Sequence, residues 1–559
     1  MKRYLFLAFL LLSTVSTLAQ QKYWLEAPLD KRGWIESPGC RGILMSSIDW
    51  DALPLPALSE RAYQRRERQR IPIRQTDYSH RDPSFEAKLK DIGLEIHGYS
   101  RWFNSYSISL PSEDFNLEEL KALYTDREVE LIPVRTLGRL EAPQTSPVLD
   151  ETPIPSAAAA PTSHLYNYGQ AWAQTEMVHG EALHDLGYDG SGMLIGVIDG
   201  AFFNADNIGP LYQVFQQGRV LATYDFVNGD TNVFRPVGSH GTRVWSIMAA
   251  DLEPQFVGSA PRASYVLLRS EDDESESKVE EDNWIFAMEF ADSMGVDVIN
   301  SSLGYNVFDT DPSYFPSDME GRTAIVTRGA VMAHRVGMVV MNSAGNSGAS
   351  SWRIITAPAD ADSILSIGAV DSLGQVAAFS SRGPTADGRI KPDVSAQGVL
   401  TAHLGTSGTV TRGNGTSFSS PLLAGFVTCF WQANPNATNY EIMDWVRQSA
   451  SHYARPNNDI GYGIPNFQFA MELSGTLSPN PSIFYPNPSA GALYVKMKSD
   501  EKATYQIIDI NGRVIADGTL GFARNDRILF PLGAANGLYQ VRVIQGDEVT
   551  VEKVLLQRP

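Results

Sequence analysis

Four short stretches of this 559-residue sequence set reactive side chains where a fold could aim them. The most crowded is GNGTSFSSP, residues 413–421, where three serines and a threonine precede the apolar run LLAGFVTCFW. Gly413 and Gly415 allow a tight approach to a helix start. Pro421 is tolerated only if that helix has just begun, which puts the start near Ser417. Backbone N–H groups of a first helical turn lack intrahelical partners and sit at the positive end of the dipole. A serine there could attack a carbonyl while those N–H groups receive the developing oxyanion. The same residues would also make an ordinary Ser/Thr N-cap.

The other three stretches are MLIGVID, VGSHGTRVWSIMAA and SAGNSG. Asp199 closes the first, a run that reads as a buried strand, although Asp before Gly is also a turn former. His240 opens the second, which continues as a buried helix. Asn346 follows another buried strand inside a Gly-rich turn, where its amide could donate to an oxyanion. Each residue alone has a plain structural reading. Together, in the order Asp, His, Asn, Ser, they match one of the known chain orders of a catalytic triad.

The elements that must position these residues are repeated strand-then-helix units. MLIGVID (193–199), SYVLLR (264–269), VDVINSSLG (296–304) and MVVMNSAG (338–345) are continuous apolar strands. EEDNWIFAMEFADSMG (280–295) and TAIVTRGAVMAHRVG (323–337) read as helices ending at glycine. This pattern predicts an α/β fold, a doubly wound parallel sheet, with sites at the carboxyl ends of strands. Residues 20–140 read as a small α+β region containing an arginine-rich helix (59–70), a helix-then-strand at 84–100 with Gly93 as the stop, and a strand at 101–111. Residues 141–163 are rich in Pro, Ala, Ser and Thr and read as a linker, a preferred place for proteolysis. From 483 to 559 short strands return, with Asn511-Gly512 as a hairpin signal, predicting a small β-sandwich.

Composition narrows the function classes. A net charge of -19 argues against non-specific nucleic-acid binding. The N-terminus MKRYLFLAFLLLSTVSTLAQ has a basic start, a short apolar core and small residues near position 19, the pattern of a secretory signal peptide over 1–19. No other segment is long and apolar enough to span a membrane. The two cysteines, Cys40 and Cys429, have no metal-binding spacing, and Cys429 reads as a core residue.

The segments IGVIDG, SHGTRVWSIMAA, VINSSLG, SAGNSG and GTSFSSP, with AAFSSRGP (377–384) and KPDVSAQG (391–398), resemble the motif set of the subtilisin-like serine peptidases over a region of 164–475. The resemblance implies a serine endopeptidase that acts on protein or peptide substrates. It implies Ser417 as nucleophile, His240 as general base, Asp199 as its orienting partner and Asn346 in the oxyanion hole. Ser302, Leu303 and Gly304 resemble the strand that pairs with the substrate backbone. No cofactor is required; structural calcium is common in the family, and no ligands for it are assigned here. Arg243 stands where many members have a second histidine. Phe418, Ser419 and Ser420 replace common Met and Ala, and Gly200-Ala201 replaces a usual Thr/Ser-Gly.

The flanks carry resemblances too. Residues 20–140 resemble the propeptide region of secreted subtilases, implying the protein's own propeptide as a partner that blocks the cleft. The arginine-rich helix would suit an acidic surface, with SEDDESESKVEED (270–282) as one candidate; that run could instead line the cleft. YPNPSAG (485–491), ATYQIIDINGRVI (503–515) and NGLYQVRVI (536–544) resemble the sorting domain of the type IX secretion system. This implies secretion machinery as a partner and a secreted or cell-surface, outer-membrane-associated location. The competing functional reading is an inactive subtilase scaffold that serves as a surface binding protein.

Overall fold

The computed structural model describes residues 22–26, 58–73, 78, 83–109, 131–133, 164–309, 311, 313–477, 484–485, 489, 491–496, 502–520, 525–546 and 548–558. The leader at 1–19, Cys40 and the 141–163 linker lie outside these residues.

In the N-terminal region, β1 (Lys22–Glu26), α1 (Glu60–Arg68), α2 (Pro83–Asp91), β2 (Glu95–Ser100), β3 (Ser105–Ser109) and β4 (Leu131–Pro133) give a four-stranded antiparallel sheet, in the order β2-β3-β1-β4. Gly93 has φ +84° between α2 and β2, as a helix stop requires. The strand expected from 101 begins at Ser105, and residues 110 and 111 lie outside the described ones. Residues 101–104 form a turn, with Asn104 at φ +49°, and the Glu289 carboxylate accepts from the N–H groups of Arg101 and Trp102.

The central region holds a seven-stranded parallel sheet. Its strands are β5 (Leu194–Asp199), β6 (Val220–Asp225), β7 (Ser264–Arg269), β8 (Val298–Ser301), β9 (Val339–Ser343), β10 (Leu365–Val370) and β11 (Val394–Gln397). Their order is β11-β10-β9-β8-β5-β7-β6. Strand alternation explains the continuous apolar runs. Ile195 and Val197 face one core shared with α3 (His240–Ala249) and α6 (Thr416–Ala433), while Leu194 and Ile198 face a second core shared with α4 (Lys278–Met294) and α5 (Ile325–Arg335). Both faces of the inner strands are buried, so few positions on them need a polar residue for solvation, whereas the edge strand β6 is half-exposed. α4 starts two residues before the expected 280 because Ser277 and Glu280 form a capping box, and it ends at Gly295 with φ +79°.

Between the sheet and α6, β12 (Thr401–Leu404) and β13 (Val410–Gly413) form an antiparallel pair, and α7 (Asn439–Gln448) follows. Cys429 is buried in α6, its thiol donating to the Ser259 carbonyl at 3.3 Å, which bears out the core reading.

The N-terminal region docks on α4. Ser107 bonds Asp282 near the helix start, and Ser100 bonds Glu289 further along. The arginines of α1 do not meet the 270–282 run. Arg65 and Arg66 pair with Asp292, and Arg61 and Arg68 with Asp297. Those two aspartates flank the end of α4, which corrects the expected acidic partner.

The C-terminal region is a two-sheet sandwich. β14 (Phe484–Tyr485), β15 (Ala492–Lys496) and β18 (Asn525–Leu529) make one sheet, ordered β14-β15-β18. β16 (Ala503–Ile508), β17 (Val514–Leu520), β19 (Gly537–Gln545) and β20 (Glu548–Leu556) make the other, ordered β17-β16-β19-β20. Gly512, at φ +80°, turns the β16–β17 hairpin. No helix among the described residues is long and apolar enough to cross a membrane.

Candidate active site

Asp199, Ser302, Asn346 and Ser417 gather at the carboxyl end of the sheet, with His240 opposite Asp199. Asp199 is the last residue of β5 and is fully buried. Its Oδ1 accepts from the Gly200 N–H at 2.9 Å and faces His240 Nδ1 at 2.6 Å. Its Oδ2 is buried with no hydrogen-bond partner among the described residues, at the position where Gly200-Ala201 supplies no hydroxyl. His240 is the first residue of α3. With Nδ1–H committed to a carboxylate, Nε2 keeps its lone pair and can accept a proton. Burial works to lower the His240 pKa, but the charge and hydrogen bond of Asp199, with Asp273 behind, outweigh it and raise it above the ordinary histidine value.

Ser417 is the second residue of α6, after Gly415, whose φ of +154° lets the chain turn into the helix. Pro421 cannot donate to the Ser417 carbonyl four residues back. The Ser302 hydroxyl donates to that carbonyl instead, at 3.1 Å, and the Ser417 hydroxyl donates to the Ser302 carbonyl at 3.3 Å. Phe418, the next residue, stacks toward the His240 ring with centroids 6.5 Å apart, which brings the start of α6 near His240.

Asn346 lies beside the same helix start. Thr416 N–H and Oγ1–H donate to its Oδ1 at 2.9 and 3.0 Å. Because an N–H can only donate, the oxygen of the amide must face Thr416, and the NH2 group is left to point elsewhere. Thr416 is thus structural. So are Ser419, which bonds the Thr416 carbonyl, and Ser420, which bonds Asn300 Oδ1 at 2.8 Å. Ser302, Leu303 and Gly304 leave the end of β8. The Asn342 amide and Ser343 hydroxyl hold the Leu303 carbonyl at 3.0 and 3.4 Å.

Three contributors escaped the sequence reading. Asn300 passes a hydrogen bond from Ser420 to Ser302, its Nδ2 lying 3.1 Å from Ser302 Oγ. His403 stacks on the far face of Phe418 at 4.8 Å, and its pKa is pushed down to about 4 by burial, so it stays neutral. Asp273 nestles against the glycines beside the site: a Cβ on Gly200 would lie 3.1 Å from Asp273 Oδ1, and one on Gly238 only 2.1 Å away. Only the polar residue inside the apolar run VINSS hinted at Asn300; Asp273 lay within the acidic 270–282 run without being singled out, and nothing local marked His403.

Among the described residues, one group of side chains could hold a cation. Carboxylate oxygens of Glu271, Glu276 and Glu280 lie within 4.8 Å of one another. Burial, reinforced by mutual repulsion or by a neighbouring aspartate, raises the pKa of all three. Tyr305 and Ser270 hydroxyls donate to Glu271, and the Ser277 and Asp272 N–H groups to Glu280.

The subtilase family (Peptidase S8) matches residues 190–463. A Peptidase S8 propeptide domain of Bacteroidota matches 48–146, and a secretion system C-terminal sorting domain matches 483–557. Subtilisin E of Bacillus subtilis is 32% identical over 323 residues, covering 57% of this chain and 76% of that protein. A subtilisin of Bacillus pumilus is 32% identical over 294 residues, covering 52% of this chain and 95% of that protein. The MycP3 protease of the type VII (ESX-3) secretion system is a solved structure at 21% identity and TM-score 0.45, covering 54% of this chain and 87% of that one. The sorting domain marks a secreted or cell-surface protein. This chain belongs to the subtilase family and is a serine-type endopeptidase.

Proposed function

We propose that the protein hydrolyses peptide bonds by acyl transfer to Ser417, with His240 as base and Asp199 as its orienting partner. The observation that carries this reading is the 2.6 Å contact of His240 Nδ1 with buried Asp199, beside the start of α6 that bears Ser417. The Ser417 hydroxyl turns from the Ser302 carbonyl toward His240 Nε2 and gives up its proton as oxygen attacks the scissile carbonyl. The Ser417 N–H, in the unpaired first turn of α6, and the Asn346 NH2 group receive the oxyanion. His240 then protonates the leaving amine, and water, deprotonated by the same histidine, releases the acyl group. The chain's own groups supply nucleophile, base and oxyanion donors, the Ser417 backbone N–H among them, so the reaction needs no cofactor. The substrate backbone lies along Ser302-Leu303-Gly304 as an added strand.

The reading extends to the whole chain. Residues 1–19 direct export, 20–140 act as propeptide, the 141–163 linker is cut on maturation, 164–475 carry the activity, and 483–559 engage the secretion machinery. Labelling of the matured protein with a serine-reactive fluorophosphonate tests the core of it. Label on Ser417 that Ser417→Ala abolishes is expected. Absence of label on matured wild type, with the propeptide shown to be gone, would move the inactive-scaffold reading forward.

A further inference from the structure

The arginine-bearing helix α1 lies at the opposite pole of the sheet from the site. Asp199 closes β5, and Ser302 and Asn346 follow β8 and β9, all at carboxyl ends. The residues that α1 touches stand at amino ends: Asp297 directly before β8, Gly337 just before β9, and Asn439 at the first position of α7.

The contact is specific rather than a loose charge match. Arg66 Nη2 reaches both oxygens of Asp292 at 2.8 Å, Arg65 bonds Asp292 and the Val296 carbonyl, and Tyr78 Oη donates to Asp292 at 2.6 Å. Among the described residues, every hydrogen bond to the Asp292 side chain comes from the N-terminal region. Arg61 bonds the Gly295 carbonyl at 3.0 Å and Asp297. Gln69 bridges two elements, donating to the Gly337 carbonyl at 2.7 Å and accepting from Asn439 N–H at 2.9 Å. Arg65, Arg66 and Asp292 are almost wholly buried. The carbonyls at the end of α4 carry the negative pole of its dipole, which suits guanidinium groups. The surface is also shaped for this occupant. A Cβ on Gly295 would lie 2.6 Å from the Ala62 backbone nitrogen, and one on Gly337 2.8 Å from Gln69 and Ile71.

We propose that this groove, built from Asp292, Gly295, Asp297, Gly337 and Asn439, is a docking site for an arginine-bearing helix with segment 59–71 as its occupant. It anchors the propeptide independently of the cleft. The proposal rests on the propeptide reading of the N-terminal region but not on catalysis by Ser417. Helix spacing supports the match, since Arg61, Arg65 and Arg68 recur at intervals of four and three and so share a face, with Arg66 beside it. Because the groove joins residues from 292 to 439 in sequence, its occupant also clasps elements that come together only in the folded sheet.

The test uses the full chain carrying Ser417→Ala, so its outcome is independent of whether Ser417 is the nucleophile. The linker is cut with added elastase in the Ala157–Ala160 stretch, and the two pieces are followed by gel filtration. The propeptide should co-elute with the peptidase region. In Arg65→Gln/Arg66→Gln or Asp292→Asn it should dissociate at least about tenfold more readily, with the combination no worse than either alone, as expected when one side's partners are already gone. Gln69→Ala, which removes neutral hydrogen bonds and no charge, should weaken retention by a smaller factor and serves if the charge variants fail to fold. Arg70→Gln, exposed on the same segment, should change nothing. Equal retention in Gln69→Ala and the arginine variants, or strictly additive losses, would overturn the anchor.

Discussion

Ser302 and Ser417 exchange hydrogen bonds, each hydroxyl donating to the other's backbone carbonyl, at 3.1 and 3.3 Å. The exchange ties the candidate substrate strand to the candidate nucleophile's helix. It also supplies the donor that Pro421 withholds from the first turn of α6. Ser302→Ala should therefore leave the Ser417 carbonyl short of a donor and lower stability by about 1–2 kcal/mol. Chemical denaturation checks the stability term. kcat should fall more than KM rises, because the helix start moves and the substrate strand does not. Unchanged stability would mean that the exchange is incidental.

Asp199→Asn should leave the backbone at the end of β5 in place and still abolish most activity. The amide can donate to His240 and favour the wrong tautomer, with a loss of about 10⁴ in kcat as in other Ser-His-Asp enzymes. A loss below tenfold on a peptide substrate, with the melting temperature retained, would remove Asp199 from its proposed role.

The charge on Asp273 contributes to the raised pKa of His240, after Asp199. The base acts when neutral, so a raised pKa puts the acid limb of kcat/KM at a higher pH than an ordinary histidine would. Asp273→Asn removes a negative charge that favours the imidazolium. The acid limb should move to lower pH, with the alkaline plateau little changed. A limb that stays put or moves upward would contradict the electrostatic coupling.

Much of this arrangement was legible in the sequence, for physical reasons. Parallel strands buried on both faces read as unbroken apolar runs, so β5, β7, β8 and β9 are plain in the sequence. Glycines at positive φ ended α4 and the 84–91 helix where expected. Asp199 and Asn346 stand out beside glycine just after such runs, and His240 and Ser417 stand out near glycine where a buried helix begins. What failed were contacts between residues distant in sequence. Arg65 finds Asp292 more than 200 positions away, and Asp292 sits inside an unremarkable helix. Asp273 was one acid among many in 270–282, and only the packing against Gly200 and Gly238 singles it out.

Phe418 stands where Met is common in the family, and its ring stacks on His403 at 4.8 Å and toward His240 at 6.5 Å. A Cβ on Gly413 would lie 2.4 Å from its ring, so that glycine makes room for it. Phe418→Ala should cost about 3–5 kcal/mol as a core truncation, while Phe418→Met should cost far less. Activity per folded molecule should fall in the alanine variant because the imidazole loses a packing neighbour. Equal stability of the two variants would show that the ring is not packed as described.

The raised carboxyls of Glu271, Glu276 and Glu280 make a prediction about alkaline stability. A carboxyl whose pKa is higher folded than unfolded binds more protons in the native state over the intervening range. Stability is then present at acid pH and is lost as pH rises through the folded value. Glu271→Gln keeps an oxygen to accept from Tyr305 and Ser270 and removes one titrating member of the group. Its melting temperature should exceed that of wild type at pH about 9 and show no gain near pH 5, where wild type already holds the proton. A gain of the same size at both pH values would point to hydrogen bonding rather than charge. A loss at pH 9 would mean that the ionised carboxylate is stabilised in the native protein, opposite to the direction that burial and its acidic neighbours impose.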